Sequence, residues 1–254
     1  MNVRWFIYRS HRLNAIRRPL NNLLFGRGWG GFQGDRIYRG MIAALLDTLP
    51  ITSFVETGTF RGYSTEFVAC RRPQLPVYTS EISAEHFAIA QKALADCKNV
   101  TPIKSCSDEF VAKLLAENKL GSLPLFFLDA HWNDYWPLRK ELDHIARAGI
   151  PAVIVIDDFE VPEQPQFGFD IDGGTETSVR GEKCNLDYIR PSLATDKLTY
   201  SALFPRYIFE DGFGRMSLGY LRGHIALFQN AADAYRKALE HPLLRQRYTA
   251  LDRL

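Results

Sequence analysis

Short apolar runs alternate with amphipathic segments in the part of the chain from residue 50 to residue 160. The runs that have the length of strands lie at 53–56, 77–81, 100–103, 125–129 and 152–156. The segments between them repeat apolar residues with helical spacing, which predicts helices. Strands that alternate with helices are typical of a parallel sheet. The pattern therefore predicts an α/β fold with helices on both faces of the sheet.

The chain after residue 185 shows a different order of elements. A helix is predicted at 186–193, and two alternating runs follow at about 198–210 and 217–228. Alternation of apolar and polar residues favours strands, and two adjacent strands of this kind predict a closing antiparallel hairpin. The tail at 231–254 mixes charged and apolar residues and is predicted to be helical.

Most of the predicted strands end on a carboxylate. The acids at the ends of four strands are Glu56, Glu81, Asp129 and Asp157. In an open α/β sheet the ligand crevice lies outside the carboxyl ends of the strands, so we expect these acids to converge there. The third strand has no such acid and contains Pro102, which lacks an N–H group. We therefore expect that strand at an edge of the sheet.

Composition places the chain among ordinary globular proteins. It has 254 residues, of which 46% are hydrophobic and 24% charged. We expect an N-terminal arm and helix at 1–49, a main domain at 50–230 and a C-terminal helix at 231–254. No apolar run is long enough to cross a membrane, so we expect a cytoplasmic location. The four cysteines show no C-x-x-C spacing and are expected to be reduced structural thiols.

The net charge of +2 hides an asymmetry along the chain. Residues 1–40 contain eight arginines and one acid, so this segment carries +7 and the remainder carries −5. A basic segment that also contains aromatic and leucine side chains suits peripheral contact with an anionic membrane or an acidic partner. It equally suits a helix that packs on its own domain or on a second subunit of a homo-oligomer. We favour the packed helix.

The stretch 53–65 carries the clearest chemical motif. It passes from a strand through Gly58 and Gly62 into a predicted helix from Ser64. Glycines let the backbone approach a ligand closely, and the start of a helix offers free N–H groups. The spacing Glu-x-Gly-x-x-x-Gly, which begins at Glu56, differs from the three-glycine dinucleotide fingerprint and argues against a dehydrogenase. It resembles the first motif of class I S-adenosylmethionine-dependent methyltransferases.

This resemblance covers residues 50–228 and implies a Rossmann-like class I methyltransferase sheet, mostly parallel with a C-terminal antiparallel hairpin. It implies that the glycine turn holds the methionine portion of the cofactor. Glu81 would accept hydrogen bonds from the ribose hydroxyls, because a carboxylate offers two acceptor oxygens. Ser107 and Asp108 would meet the adenine. The implied cofactor contacts are Glu56, Gly58, Gly62, Tyr63, Ser64, Glu81, Ser107, Asp108 and His131.

A second motif points to a subgroup. Leu128-Asp-Ala-His-Trp-Asn-Asp-Tyr135 follows the fourth strand, and Ile156-Asp-Asp-Phe159 follows the fifth. Together they resemble the metal-dependent O-methyltransferases, which include the catechol and caffeoyl-coenzyme A enzymes and the sugar O-methyltransferases of antibiotic biosynthesis. The resemblance implies that Asp129, Asp157 and Asp158 bind Mg²⁺, a cation that prefers a few hard oxygen ligands.

The chain departs from this subgroup near the fourth strand. The plant and catechol enzymes carry a lysine shortly after the strand-four acid, where this chain has Trp132 or Asn133. The sugar enzymes carry an acid where this chain has His131. Histidine can remove a proton at neutral pH. We therefore expect Asp129 and His131 to be catalytic, with His131 as the general base.

These motifs predict an O-methyltransferase that uses S-adenosylmethionine and Mg²⁺ to methylate a small hydroxylated acceptor, such as a sugar or a glycosylated metabolite. The residues around 159–182 are expected to form a long loop over the crevice. Together with Trp132, Tyr135 and Trp136 this loop would shape the acceptor pocket. No nucleic-acid partner is predicted.

Two alternatives stay open on the sequence. The cephalosporin hydroxylase-like proteins resemble the same fold, and in such a protein His131 and the nearby acids would hold iron for an oxidation. A non-catalytic binding module would keep the cofactor pocket and dock through the basic N-terminal segment. The metal content of the protein separates the first alternative from a methyltransferase, and turnover separates the second.

Overall fold

The computed structural model describes residues 30–131, 136–171, 181–194, 197–213 and 221–254. The predictions for the basic segment at 1–29, for Trp132 and Tyr135, and for residues 172–180 of the expected loop lie outside the described residues. In the part of the chain that is described, no helix combines the length and the apolar character needed to cross a membrane.

The described residues form one eight-stranded sheet. The strands are β1 Ser53–Thr57, β2 Val77–Glu81, β3 Val100–Lys104, β4 Pro124–Leu128, β5 Ala152–Asp157, β6 Tyr200–Pro205, β7 His224–Gln229 and β8 Tyr248–Leu251. Their order across the sheet is β3-β2-β1-β4-β5-β7-β6-β8. The five strands β3, β2, β1, β4 and β5 lie side by side in this order and are parallel. Strand β7 is antiparallel to both β5 and β6, and β8 is antiparallel to β6.

The helices pack around this sheet in two groups. They are α1 Arg36–Thr48, α2 Tyr63–Arg71, α3 Ala84–Ala93, α4 Ser107–Ala116, α5 Leu138–Ala148, α6 Leu186–Leu193, α7 Phe209–Phe213, α8 Ala232–Glu240 and α9 Pro242–Arg247. Helix α5 contacts α4 and α6, whereas α1 contacts α7, α8 and α9. A 3₁₀ turn at Phe32–Gly34 precedes α1.

Helix α1 ties the residues before the first strand into the core. It begins where the Asp35 side chain accepts hydrogen bonds from the N–H groups of Ile37 and Tyr38, which is a typical helix N-cap. Its apolar face is fully buried at Met41, Ile42 and Leu45. These side chains belong to the same hydrophobic cluster as those of β1, β4 and β5. The 3₁₀ turn before α1 is thereby fixed close to the carboxyl edge of the sheet.

The first five strands confirm the predicted α/β pattern. Each begins and ends within one residue of its predicted run. Pro102 lies in β3, the outermost strand on its side, so the predicted edge position is confirmed. The acids at the strand ends share the carboxyl edge, with Glu56 and Glu81 on β1 and β2 and Asp157 ending β5. The closing hairpin is also confirmed, as the antiparallel pairing of β6 with β7, but the first predicted run extends too far, because β6 ends at Pro205 and α7 begins at Phe209.

The prediction of a helix throughout 231–254 is wrong at its end. After α8 and α9 the chain forms β8, which pairs with β6. Without β8, β6 would expose a row of unpaired backbone groups at the sheet edge. Tyr248 is buried, and its hydroxyl lies 2.9 Å from Nε2 of the buried His224. This tertiary contact, which no local pattern reveals, overrides the helical pattern of the tail.

Candidate active site

The turn between β1 and α2 takes its shape from two glycines. Gly58 has a φ of +82°, and a Cβ atom there would come within 2.6 Å of the carbonyl oxygen of Asp129. Gly62 has a φ of +71° and directly precedes α2. Only glycine adopts both conformations without strain. The turn therefore brings the end of β1 against the end of β4, so that the two predicted motifs meet.

Glu56 is buried at the base of this turn and is held by hydroxyl groups. Ser64 and Thr65 of α2 and Thr79 of β2 each donate a hydrogen bond to its carboxylate. Burial raises the pKa of Glu56, and the three hydroxyls partly offset this. Because a carboxylate has about four lone-pair sites, most of its acceptor capacity is already used. Glu56 therefore anchors the turn, and its predicted contact with the methionine portion of the cofactor stays a prediction.

Glu81 differs because its carboxylate keeps spare acceptor capacity. It accepts one hydrogen bond from the N–H of Phe60 at 2.7 Å and one from the N–H of Ser83 at 2.8 Å. About two lone-pair sites remain on its oxygens. The next residue, Ile82, is an exposed large apolar side chain. A carboxylate with free acceptor sites beside an apolar surface suits a ribose and its base.

The residues predicted to meet adenine lie at the start of α4 and face α5. Ser107 is buried, and Asp108 lies 3.7 Å from the ammonium of Lys140. Behind them Glu141 is fully buried, and neither of its carboxyl oxygens makes a hydrogen bond of normal geometry within the described residues. The hydroxyls of Ser107 and Thr57 face this carboxyl. Burial raises the pKa of Glu141 to about 7, although these hydroxyls oppose the shift.

The acids after β4 and β5 meet a histidine. One carboxylate oxygen of Asp129, one of Asp158 and one ring nitrogen of His131 all lie within 4.8 Å of one another. The described residues contain no other group of three acidic, histidine or cysteine side chains with this geometry. The predicted ligands Asp129 and Asp158 are thus brought together. His131, predicted as the general base, completes the group in place of Asp157.

Asp157 lines the same crevice but is held from another direction. Its Oδ2 accepts a hydrogen bond of 3.3 Å from the side-chain amide of Gln33, while its Oδ1 is buried and has no hydrogen-bond partner among the described residues. The hydroxyl of Tyr38 is buried beside it without a hydrogen bond of normal geometry. Tyr38 is fixed there by stacking on His224, with ring centroids 3.6 Å apart.

Asp158 is instead paired with a cation. The guanidinium of Arg222, just before β7, forms ion pairs with Asp158 and with Asp170 of the loop after β5. Asp170 Oδ2 lies 3.5 Å from Nε2 of His131, and Asp158 Oδ2 lies 3.8 Å from it. The loop is held by backbone hydrogen bonds from the Asp170 N–H to Asp158 and from the Cys184 N–H to Asp170. His131 is thereby placed between two carboxylates.

The acids of this crevice are electrostatically unbalanced. Burial, followed by the negative charges of Asp157 and Asp158, raises the pKa of Asp129 well above its usual range. Burial and the charge of Asp158 raise the pKa of Asp157 to about 7. Burial also raises the pKa of Asp158, although Arg222 opposes this shift. Among the ion pairs of the described residues, none neutralises Asp129 or Asp157.

The crevice itself is narrow. Its lining includes Leu128, Trp136, Leu138 and Ile156 in addition to the acids, His131 and Glu141, and it has room for little more than one water-sized particle. Trp136, predicted to shape the acceptor pocket, stacks on Tyr188 with ring centroids 4.5 Å apart. A space of this size fits a metal ion, whereas a larger acceptor would lie at its mouth.

The residues before α1 also reach the predicted cofactor turn. A Cβ atom on Gly31 would come within 2.9 Å of the backbone nitrogen of Ser64, and Gly30 lies against the ring of Tyr63. The chain thus passes directly over the start of α2. Two of the predicted cofactor contacts, Tyr63 and Ser64, are therefore partly shaped by the N-terminal segment.

Several buried polar atoms without hydrogen bonds surround this edge of the sheet. They are Thr57 Oγ1, Ser80 Oγ, Asp157 Oδ1, the Tyr38 hydroxyl oxygen and both Glu141 oxygens. Such atoms are rare in folded proteins and commonly mark a place for water, an ion or a ligand. The hydroxyls at the ends of β1 and β2 fit a polar cofactor. The carboxylates and His131 fit a divalent cation, because Mg²⁺ and Mn²⁺ favour carboxylate oxygens and several metals accept imidazole.

Sequence reasoning missed five residues of this region: Gln33, Tyr38, Glu141, Asp170 and Arg222. Gln33 and Tyr38 lie in a segment that carries no recognisable motif. Asp170 was visible only as part of a loop rich in glycine and acids. Glu141 gave one signal, because a carboxylate on the apolar face of a predicted helix is unusual unless it is paired or functional.

The chain matches no protein-family model. Solved structures similar to it include the O-methyltransferase from Bacillus cereus in complex with SAH, which is 22% identical, with 75% of this chain and 80% of that chain covered and a TM-score of 0.48. Another is the O-methyltransferase TomG from Streptomyces achromogenes, involved in tomaymycin synthesis, in complex with SAM. It is 18% identical, with 87% of this chain and 98% of that chain covered and a TM-score of 0.48.

At these identities and TM-scores the similar structures do not indicate the chemistry of the site. That chemistry is inferred from the residues described above. The fold follows from the sheet itself. Parallel pairing from β3 through β5, followed by β7 inserted antiparallel between β5 and β6, gives the mostly parallel sheet with a C-terminal antiparallel hairpin that the sequence resemblance implied. The chain therefore has the Rossmann-like fold of class I S-adenosylmethionine-dependent methyltransferases.

Proposed function

We propose that the chain is an O-methyltransferase that uses S-adenosylmethionine and a divalent cation, Mg²⁺, to methylate a small hydroxylated acceptor. One observation carries this proposal. The ligand atoms of Asp129, His131 and Asp158 lie within 4.8 Å of one another, and the backbone turn at Gly58 presses directly against Asp129. A site for a cation and a turn suited to the cofactor therefore adjoin at the carboxyl edge of one sheet.

On the cofactor side, the proposal assigns different tasks to the two buried glutamates. Glu56 fixes the turn through its three hydroxyl partners. Glu81 offers its spare acceptor sites to the two ribose hydroxyls, as a carboxylate without donors can. Ile82 supplies an apolar surface for the base, and Ser107 lies at the start of α4, where its hydroxyl faces Glu141. The glycine turn lets the methionine portion approach the backbone.

On the cation side, Asp129 and Asp158 supply oxygen ligands, and Asp157 is the neighbouring acid with an oxygen to spare. When bound, S-adenosylmethionine supplies an electrophilic methyl group, and the cation supplies positive charge that makes an acceptor hydroxyl more acidic. The residues of the chain then have to align that hydroxyl with the methyl group and remove its proton. The burial of the acids strengthens their hold on a cation, because few water molecules compete.

His131 is the residue proposed to take the proton, so in the methyltransferase the cation would be held by the carboxylates and not by the His131 ring. The side chain is about half exposed, so it can meet an acceptor, and its Nε2 lies near Asp158 and Asp170. These carboxylates would stabilise the positive charge that the ring acquires with the proton. Trp136 lies at the mouth of the crevice, where its indole can pack on a sugar ring or another flat acceptor. A sugar or a glycosylated metabolite is the acceptor class that we propose.

The grouping of one histidine with two carboxylates also favours a second candidate function. Iron in non-haem oxygenases is held by two histidines and one carboxylate with open positions, and this group shares those residue types but has one histidine and two carboxylates. A hydroxylase on this fold would contain iron after purification and would consume oxygen with its substrate. A methyltransferase would do neither, and it would transfer a methyl group in the presence of Mg²⁺ and a chelator selective for iron.

The experiment that tests the proposal measures binding of the demethylated cofactor, S-adenosylhomocysteine, by calorimetry, together with a crystal structure soaked in that compound and Mg²⁺. Glu81→Ala should weaken binding by about tenfold to a hundredfold, since it removes charge-assisted hydrogen bonds. Glu85→Ala, a change at an exposed acid four residues away, is the matched control. Equal affinities in wild type and Glu81→Ala, or an ion bound elsewhere in the crystal, would contradict the proposal.

A further inference from the structure

The turn that precedes α1 has an unusual backbone. Phe32 and Gln33 have φ values of +55° and +59°, and Gly34 has a φ of +73°. Left-handed backbone is unfavourable for residues other than glycine, and two such residues in succession persist only where the surroundings hold them. Strain of this kind is concentrated at functional sites, so the turn calls for an explanation in terms of what it holds.

Two contacts fix the turn in place. The Phe32 side chain is buried in the core, with its ring 5.2 Å from that of Phe127 and 5.7 Å from that of Phe67. Gly31 lies against the backbone of Ser64 at the start of α2. The turn is therefore clamped between the hydrophobic core and the predicted cofactor helix. These contacts explain how the turn is held but not why position 33 carries a polar side chain.

Gln33 is exposed at the surface, yet its side chain reaches into the acid crevice. Its amide nitrogen donates to Asp157 Oδ2 at 3.3 Å, across 124 positions of sequence. Asp157 is among the residues that line the crevice. Its other oxygen, Oδ1, is buried and accepts no hydrogen bond of normal geometry from the described residues, although the Tyr38 hydroxyl lies beside this carboxylate. One oxygen is thus held by the Gln33 amide, and the other keeps acceptor capacity.

The kind of donor is informative. Arg222 holds the neighbouring Asp158 with a positive charge, which competes with any cation for that carboxylate. The amide of Gln33 is neutral, so it orients Asp157 without cancelling the negative charge. A glutamate at position 33 would repel Asp157, and a lysine would neutralise it. Glutamine is therefore suited to hold a carboxylate that has to attract a cation.

We propose that Gln33 is a positioning residue for a divalent cation: by holding Oδ2 of Asp157 it presents Oδ1 to a cation in the crevice. This inference rests on the proposed metal-dependent function. It adds Asp157 to the oxygen ligands Asp129 and Asp158, and it assigns the strained turn a role in ordering that acid. Metal ligands are commonly held in this way by hydrogen-bond partners outside the coordination sphere.

The test measures Mn²⁺ binding to the full chain by electron paramagnetic resonance, with the melting temperature and the affinity for S-adenosylhomocysteine measured on the same samples. Gln33→Gly removes the amide and also relieves the left-handed strain. Its melting temperature should be unchanged or higher, while its Mn²⁺ affinity should fall by about tenfold to a hundredfold. Gln33→Ala keeps the strain and removes only the amide, and it should show the same loss of Mn²⁺ affinity.

The matched control is Asn118→Gly. Asn118 is also exposed and left-handed, with a φ of +51°, but it follows α4 and has no part in the crevice. This change should leave Mn²⁺ affinity unchanged. S-Adenosylhomocysteine affinity should stay the same in all three variants. A parallel loss of both affinities in the Gln33 variants would show a general role for the turn in the fold and would overturn the inference.

Two further outcomes separate this inference from the function on which it rests. If wild type binds Mn²⁺ and both Gln33 variants bind it equally well, the positioning role is overturned and the metal-dependent function stands. If wild type binds no Mn²⁺ at millimolar concentrations, the metal-dependent function and the positioning role are overturned together.

Discussion

The two halves of the carboxyl edge treat their buried acids in opposite ways. At the ends of β1 and β2, Glu56 is held by three hydroxyls and Glu81 by two backbone N–H groups. At the ends of β4 and β5, Asp129 has no cation partner among the described ion pairs, and Asp157 has one neutral amide donor. In the first half, each carboxylate is held by two or three donors of the protein. The second half is left with excess negative charge.

This difference indicates what each half is prepared to bind. Buried carboxylates that are held by several donors are rigid and can present a fixed arrangement of acceptor atoms to a polar ligand. Buried carboxylates without donors either take up protons or attract a cation. The raised pKa values of Asp129 and Asp157 show that these two carboxylates lack enough donors or positive charge around them. We therefore expect perturbations on the two sides to differ in kind and in size.

The largest effect is expected when a proposed cation ligand is removed from the ends of β4 and β5. Asp129→Asn keeps the shape of the side chain but removes its charge, so Mg²⁺-dependent methyl transfer should fall by at least about a hundredfold. Binding of S-adenosylhomocysteine should change little, because Glu81 and the glycine turn lie on the other side. Steady-state kinetics and calorimetry measure the two quantities. Asp143→Asn, at an acid on the outer part of α5, is the control. Full activity in Asp129→Asn would show that the charge of Asp129 is not needed for the reaction.

The next largest effect is expected for Arg222, whose guanidinium forms ion pairs with two acids of the crevice. Arg222→Met leaves Asp158 and Asp170 without their partner and should lower the free energy of unfolding by about 3 kcal/mol, measured by urea denaturation in a chelator. Added Mg²⁺ should restore more stability to this variant than to wild type, because it binds only the folded state. Arg236→Met breaks an exposed pair with Asp233 and should lose less than about 1 kcal/mol. Equal losses in the free energy of unfolding of the two variants would contradict the excess of negative charge proposed for the crevice.

A third prediction uses pH to test the buried carboxyl of Glu141. Its pKa is raised from 4.5 to about 7, so between these values the folded protein binds more protons than the unfolded chain. Stability therefore falls as pH rises through this window. Glu141→Gln lacks this loss and should be more stable than wild type at pH 8 by about 2 to 3 kcal/mol. Thermal unfolding in a chelator at several pH values measures the difference.

The pH dependence of Glu141→Gln contains its own control. Below about pH 4 the carboxyl is protonated in both the folded and the unfolded state, so the stability difference from wild type should shrink to the small effect of the amide. A difference that stays constant from pH 4 to pH 8 would mean that Glu141 does not take up a proton on folding.

The smallest effect is expected at the ends of β1 and β2, where three hydroxyl groups hold Glu56. Thr79→Val removes one of the three hydroxyl donors to Glu56 and keeps the β-branched shape that suits β2. Two donors to Glu56 remain, but the buried Thr59 hydroxyl also loses its bond to Thr79, so the loss in the free energy of unfolding should be about 1 to 2 kcal/mol. Thr249→Val, on the exposed face of β8, is the matched control and should change stability by less. A loss from Thr79→Val as large as that from Arg222→Met would remove the contrast between the two sides.

Much of the fold was predictable because it is written in local patterns. Five strands were located within one residue, since a buried parallel strand is a short apolar run between helical segments. The edge position of Pro102 and the glycine turn both follow from the chemistry of one or two residues. The end of the tail was mispredicted because β8 depends on its pairing with β6, which is a contact between distant segments.

The candidate site divides in the same way. The sequence by itself determined which acids end the strands, because each follows an apolar run, and it determined that the backbone turns sharply at Gly58 and Gly62. Parallel topology then brings those acids to one edge. Only the tertiary structure decided that His131 joins Asp129 and Asp158, that Arg222 neutralises one side of the crevice, and that Gln33 holds Asp157 from 124 positions away. Such contacts have no period and no fixed spacing, because they depend on how whole elements pack.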